Sequence, residues 1–291
     1  MTPDILARAV VVTGASTGIG RAVAARVVAE GGLAFAGVRK QADAESLKQE
    51  FGDKVHPLLF DVTEETAVRA AATVVQAKLV GRNLFGLVNN AGVAVPGPLL
   101  ELDSAELRRQ LEINLIGVHT VTRAFAPLLG AAPDNSGPKG RIVMLSSVAG
   151  LMGQPFVGPY VASKHALEGY SDSLRRELIL FGVDVIVIGP GAIATPIWGK
   201  GEHEADDARF AASAYKAPLE KIRKHFADAG RNGLPPEQVG ALVWRVLTEA
   251  KPRARYAIMH RPFMDGTVPR LLPKRLVDSI VAKRLGLTKP Q

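Results

Sequence analysis

The chain is 291 residues long, 47% hydrophobic and 22% charged, the balance of a globular protein long enough to bury a substantial core. It has no cysteine, which excludes disulfides, thiolate metal sites and a Cys nucleophile. Its six histidines (His56, His119, His165, His203, His225 and His260) show no paired metal-ligand spacing. The net charge of +8 sits at one end, because residues 251–291 hold ten Lys or Arg against two acids and the first 250 residues are neutral.

The opening MTPDILARAVVVTG has no basic start followed by a long apolar run, so neither a signal peptide nor a membrane span is expected and the default location is cytoplasmic. Ala9 to Thr13 is a short β-branched run that enters TGASTGIG, Thr13 to Gly20, directly before the helix-like RAVAARVVAEGG. Strand, glycine turn and helix start in that order make an anion cradle. Gly14, Gly18 and Gly20 permit close backbone approach, with Ser16, Thr17 and Ile19 in the same turn, and a helix end offers free N–H groups to a pyrophosphate. The spacing is GxxxGxG rather than GxGxxG, so the context carries the nucleotide reading over that of a merely tight turn.

A second strand, Leu33 to Val38, ends at Arg39 and Lys40, where an NAD-selective protein usually places an acid for the ribose hydroxyls. Two cations there suit a 2′-phosphate, which favours NADP, with NAD as the alternative. After a polar helix, Ala42 to Phe51, the strand Val55 to Phe60 ends in Asp61-Val62. Asp61 either accepts from an adenine amino group or caps the next helix, Glu64 to Leu79, for which Thr63 is the better candidate. Strand four, Leu84 to Val88, runs into Asn89-Asn90-Ala91-Gly92. The small residues let the backbone lie against a cofactor, and the amides can tie neighbouring strand ends together.

Asp103 to Leu129 reads as one long helix with Asn114 in its middle, followed by a polar loop, Gly130 to Gly140, and a fifth strand, Arg141 to Leu145. A helix containing Tyr160 runs to about Phe181, and a sixth strand, Val183 to Ile188, leads into Pro190-Gly191 and Thr195-Pro196. Trp198 to Gly233 is a mixed polar and aromatic segment without a strand; a helix, Pro236 to Ala250, and a last strand near Tyr256 to Met259 precede the basic tail. The alternation predicts an α/β fold, a doubly wound parallel sheet of about seven strands flanked by helices. One domain is expected over 1–291, with 197–235 as a substrate-binding segment and 260–291 as a basic C-terminal extension.

Tyr160 and Lys164 are four residues apart, which on a helix stacks an ammonium beside a phenol and favours the phenolate. A free Tyr titrates near ~10 and one close positive charge lowers that by ~1–3. A shuttle working near neutrality therefore needs a second positive charge, such as an oxidised nicotinamide ring, which points to redox chemistry on an alcohol or ketone. Ser147, at the end of the fifth strand, is placed to hold the substrate oxygen by a hydrogen bond.

Together, Thr13 to Gly20, Asn89 to Gly92, Asn114, Ser147, Tyr160 to Lys164 and Pro190 to Thr195 resemble the short-chain dehydrogenase/reductase family over residues 9–196. The resemblance implies an NAD(P)-binding Rossmann fold with Tyr160 as general acid/base and Ser147 polarising the substrate carbonyl. It implies that Lys164 lowers the Tyr pKa and binds the nicotinamide ribose, and that Asn114 supports a water in the proton relay. Asp61, with Val62 beside it, would contact adenine and Asn90 the nucleoside side, with Ala91 and Gly92 alongside. Pro190 and Gly191 would lead into Ile193 and Thr195, which would meet the carboxamide. FAGVRK, GLVNNAG and SDSLRRELILFGV look most like the branch of retinol, 17β-hydroxysteroid and hydroxybutyrate dehydrogenases. A homodimer or homotetramer is the family-level expectation.

Candidates for the substrate wall are Val93, Val95, Leu151, Met152, Phe156, Val157, Trp198, Phe210 and Tyr215, mostly apolar and suited to a bulky secondary alcohol or ketone. PKRLVDSIVAKRL, Pro273 to Leu285, is expected to form an amphipathic helix that covers the substrate mouth, joins a neighbouring subunit, or makes peripheral contact with an anionic membrane. The rival function is a catalytically silent NADP-binding regulatory protein, which would normally have lost Tyr160, Lys164 or Ser147; all three are present. Nucleic-acid binding through the tail lacks interleaved aromatics and a recognisable reading module.

Overall fold

The computed structural model describes residues 4–195 and 209–287. Its strands are β1 (Val10–Thr13), β2 (Ala34–Val38), β3 (Val55–Leu59), β4 (Gly86–Asn89), β5 (Arg141–Leu145), β6 (Asp184–Pro190) and β7 (Arg255–Ile258). They form one sheet in the order β3-β2-β1-β4-β5-β6-β7, every neighbouring pair parallel. The helices are α1 (Gly18–Ala29), α2 (Gln41–Phe51), α3 (Glu65–Leu79), α4 (Ser104–Leu111), α5 (Gly117–Phe125) and α6 (Gly158–Glu177). Beyond β6 come α7 (Lys216–Asn232), α8 (Pro236–Thr248), α9 (Val268–Leu271) and α10 (Lys274–Leu285).

Strand residues alternate between the two faces of the sheet, and both faces are covered. Val11, Ile142, Met144, Val185 and Val187 join the core under α3, α5 and α6, while Val10, Val12, Val143, Leu145, Ile186 and Ile188 join the core under α1 and α8. Burial on both sides is why these strands read as continuous apolar runs. The chain reverses its direction of winding between β1 and β4, so the crevice at their carboxyl ends is the place where such a fold takes a ligand.

Two expectations are corrected and a third is extended. The stretch read as one helix from Asp103 to Leu129 begins at α4, capped reciprocally by Asp103 and Glu106, but a π-turn over Glu112–Ile116 interrupts it before α5, and Ala126–Leu129 is a 3-10 turn. Such a π-turn is a common device at functional sites, and here it contains Asn114. The segment read only as mixed and strandless contains α7. Thr63 does not cap α3: the helix starts after Glu64 without a side-chain cap, while the Thr63 N–H and hydroxyl donate to Asp61 Oδ1 at 3.0 and 2.9 Å.

At the C-terminus, α10 packs Val281 and Leu285 onto Leu219 and Ile222 of α7 and leaves Leu276 and Ile280 exposed, with Leu271 of α9 exposed nearby. No helix among the described residues is long and apolar enough to cross a membrane. No cluster of His, Asp and Glu among them could hold a metal ion.

Candidate active site

The predicted site residues follow the carboxyl ends of successive strands. After β1 the chain turns through Gly14 at φ 64° and Gly18 at φ 55°, a conformation that favours glycine. Thr17 precedes α1 without making a side-chain cap, so the first-turn amides keep no side-chain partner there. A Cβ on Gly20 would lie 2.3 Å from the Gly14 carbonyl oxygen and 2.5 Å from Asn90 Nδ2; glycine is required for the helix to sit this close to the loop. Ser16 accepts through its carbonyl from Arg21 at 3.2 Å, and Ile19 packs into the core below.

Asn90 does what strand-end amides were expected to do. Its Nδ2 donates to the Thr13 and Gly14 carbonyls at 2.8 and 3.1 Å, and the Thr13 hydroxyl accepts from the Asn90 and Ala91 amides at 3.0 Å each. The two strands that flank the crevice are thereby stapled. At the ends of β2 and β3, Arg39 Nη1 stands 3.6 Å from Asp61 Oδ2, with Arg39 and Lys40 exposed. Burial pushes the Asp61 carboxyl up, but the Thr63 and Arg39 interactions prevail and hold it below its ordinary value. Val62 is buried against Gly117, where a Cβ would meet it at 2.7 Å. A glycine cradle, stapled strand ends and an acid flanked by cations fit a dinucleotide with its pyrophosphate at α1 and its adenosine end toward β2 and β3.

The deep part of the site is built on β5 and α6. Ser147, in extended conformation at the end of β5, accepts from the Ala149 amide at 3.1 Å and lies 3.4 Å from the Pro190 carbonyl it donates to. Pro159 occupies the first turn of α6, where its missing N–H leaves nothing unpaired. Tyr160 follows, packed with Ala149 and Val157 and flanked by Ala94, Val161 and Phe226. Its phenol is hydrogen-bonded with the Ser147 hydroxyl; burial pushes it above its ordinary value and that hydrogen bond draws it back in part.

Lys164 Nζ lies 5.6 Å from the Tyr160 ring centre and donates to the Leu145 carbonyl at 2.7 Å. Burial pushes its ammonium down to about 8, against the pull of the Glu168 carboxylate. The acidity expected of Tyr160 from Lys164 is therefore not supplied by the protein alone. Desolvation outweighs it, because the phenol and the ammonium are both removed from water.

The π-turn points Asn114 at the loop after β4. Its Oδ1 accepts from the Val93 amide at 3.0 Å, and its Nδ2 donates to the Val93 carbonyl at 3.0 Å and to Ser163 Oγ at 3.1 Å. Both of its N–H donors are thus used within the protein. Gln110, which sequence reading missed, grips the same loop: Oε1 accepts from the Val95 amide and Nε2 donates to the Val93 carbonyl, both at 2.8 Å. The polar pair at positions 110 and 114, one turn apart on an otherwise core-facing stripe, was the available signal. A Cβ on Gly92 would come within 3.3 Å of Asn114 Oδ1.

After β6, Gly191 donates to the Ile258 carbonyl at 2.8 Å, and Ile193 is buried and bridged to Leu234. Thr195, half-buried, ends the first described stretch. Of the proposed substrate wall, Phe156, Phe210 and Tyr215 share one apolar cluster with Leu102 and α7, and Phe226 of α7 joins that cluster to Tyr160. Val95 and Val157 are buried, Val93, Leu151 and Met152 half-buried, and Trp198 lies outside the described residues. Phe226 was missed because α7 was; Leu219, Ile222 and Phe226 recur at helical spacing and would have marked both.

Fold and site together define an oxidoreductase of the doubly wound α/β class. A family model for short chain dehydrogenase matches residues 8–206, and the chain belongs to that family. It is 37% identical over 278 residues to an NADPH-dependent 3-dehydrocapnine reductase of Ornithobacterium rhinotracheale, covering 96% of this chain and 97% of the relative. Retinol dehydrogenase 5 of Mus musculus is 32% identical over 289 residues, covering 93% and 86% respectively, which relates the chain to the retinol dehydrogenase-like branch. Among solved structures, a short chain dehydrogenase/reductase from Burkholderia phymatum in complex with NAD superimposes with a TM-score of 0.74 at 25% identity, over 98% of this chain and 97% of that one.

Proposed function

We propose that the chain interconverts an apolar secondary alcohol and its ketone with NADP, Tyr160 exchanging the proton at the substrate oxygen. The observation that carries this reading is the buried Tyr160 phenol, in hydrogen-bond contact with Ser147, one helical turn from Lys164, beside a glycine cradle at the same sheet edge. The names of two relatives, an NADPH-dependent reductase and a retinol dehydrogenase, are in keeping with it.

A bound nicotinamide dinucleotide supplies the two-electron redox chemistry. Gly14, Ser16 to Gly20, Asn90 to Gly92, Pro190, Gly191, Ile193 and Thr195 would hold it, with Asp61 and Val62 at the adenine and Arg39 at the 2′-phosphate. Ser147 fixes the substrate oxygen and orients the phenol. In reduction Tyr160 protonates that oxygen; in oxidation it takes the proton away. Lys164 holds a positive charge beside the phenol and would bind the nicotinamide ribose. Gln110 and Asn114 keep the Val93 to Val95 loop in register beside the substrate, and Ala94, Val157, Val161 and Phe226 keep water from the phenol.

The experiment is a screen of NADPH oxidation against steroids, retinoids, aliphatic ketones and quinones; turnover confined to polar sugars would overturn the substrate class. Arg39→Asp should reverse cofactor preference, lowering kcat/KM for NADPH relative to NADH by roughly ten- to hundredfold, the worth of a charge-assisted contact. An unchanged ratio would remove Arg39 from the phosphate site.

The exposed Leu271, Leu276 and Ile280 among the cations of the C-terminal helices support peripheral contact with an anionic membrane. Vesicles containing phosphatidylserine should co-sediment the protein at low salt and release it at high salt. Absence of salt-sensitive binding ends the membrane role.

A further inference from the structure

One of the ten cations counted in the tail is not a surface charge. Arg255, on β7, grips Glu168 of α6 with two parallel contacts, Nε to Oε2 at 3.0 Å and Nη2 to Oε1 at 3.1 Å, and its Nη2 stands 3.4 Å from the Ser147 carbonyl. The pair is largely withdrawn from water, its side chains 27% and 14% exposed. Two glycines make room for it. A Cβ on Gly189 would lie 2.4 Å from Arg255 Nη2, and one on Gly150 would lie 3.0 Å from Glu168 Oε1. Glu168 sits one turn beyond Lys164, which sits one turn beyond Tyr160.

We infer that Arg255 and Glu168 are positioning residues for the reaction, a clamp that fixes the backbone under Ser147 and sets the charge behind Lys164, joining the last strand to the site. The inference rests on the roles proposed above for Ser147, Tyr160 and Lys164. Arg255 lies beyond residue 206, where the family match ends, so this part of the site is contributed by the divergent end of the chain. Planar bidentate geometry is what an Arg–carboxylate pair provides and a Lys cannot reproduce. Because Glu168 faces Lys164 while its charge is neutralised by Arg255, the pair determines how much negative charge the ammonium and phenol experience. The pull of Glu168 on the Lys164 ammonium agrees with that placement.

Among the described residues, the charged and titratable groups around the phenol are Lys164 and Glu168 on α6 and Arg255 on β7. From the α7 side comes His225, which lies against Phe226 and contacts Arg284 of α10. The test is a titration of the full chain without cofactor, following tyrosinate by ultraviolet difference absorbance and assigning Tyr160 by subtraction of Tyr160→Phe. Arg255→Met leaves Glu168 uncompensated and should raise the Tyr160 midpoint by roughly half a pH unit or more. Glu168→Gln leaves Arg255 uncompensated and should lower it. The neutral double variant should return it to wild type, yet lose kcat several-fold at unchanged KM, because the Ser147 carbonyl has lost one of its two N–H contacts and keeps only the Gly150 amide at 3.1 Å.

Opposite signs are the signature, since loss of packing alone would move both single variants the same way. Midpoints that stay put, or move together, in folded variants overturn the inference. Should the single variants not fold, wild-type kcat in the double variant overturns it instead. Failure of the functional reading is seen separately, as wild-type turnover in Tyr160→Phe, and leaves the titration interpretable.

Discussion

Replacing Tyr160 by Phe is expected to lower turnover by ~10²–10⁴-fold, the usual contribution of a positioned acid or base, with cofactor affinity near wild type. The substituted ring still fills the space between Ala149 and Val157, so the fold and the cradle at α1 are left as they are. What is lost is the proton and the hydrogen bond with Ser147. The pH dependence separates this from a packing defect. Oxidation needs the phenolate, so its rate in the wild type should climb with pH toward a limb set by the phenol; reduction needs the phenol and should hold until that limb and then fall. Because burial pushes the phenol up and Lys164 alone does not reverse this, the limb belongs on the alkaline side unless a bound cofactor adds positive charge. Both limbs should vanish in Tyr160→Phe. Fluorescence titration with NADPH together with pH–rate profiles in both directions checks the claim, and a variant turning over like wild type would remove Tyr160 from the chemistry.

Much of this was legible in the sequence because short local signals carry it. Apolar runs ending in TGASTGIG, NNAG and SS define β1, β4 and β5, and the four-residue spacing of Tyr160 and Lys164 fixes their common face. What was not legible depends on long-range contacts or on departures from a regular period. The π-turn at Asn114 covers only Glu112–Ile116, too short a stretch for a departure from helical periodicity to stand out in the sequence. The bond between Arg255 and Glu168 spans 87 residues, and a charge count places Arg255 among solvated cations. Thr63 looked like a helix cap because a sequence does not show that the chain enters the helix only after Glu64, one residue later.

Lys164→Met should abolish most turnover and yet leave the protein as stable as wild type, or more stable, at neutral pH. The ammonium is pushed down from 10.5 to about 8 in the folded chain, so folding disfavours its charged form. Below about pH 8 both folded and unfolded chains carry the proton, and the full penalty of burying the charge is present. Between about 8 and 10.5 the unfolded chain binds more protons than the folded one, stability rises with pH, and above that range the penalty is gone. The penalty is on the order of 3 kcal/mol, while removing the donor to Leu145 leaves a buried carbonyl unpaired at a cost of about 1–3 kcal/mol. The two nearly offset at neutrality, and only the first depends on pH. Thermal melts without cofactor should therefore show the variant at or above wild type at pH 7, losing ground as the pH is raised through the window. Its ion-pair neighbour is not stranded by the change, since Glu168 keeps Arg255. A variant that melts far below wild type at pH 7 and recovers on raising the pH would have the sign reversed, and the ammonium would then be a stabilising group. The expected result instead makes Lys164 a residue retained for its charge beside Tyr160 at the expense of stability, as a site built for chemistry requires.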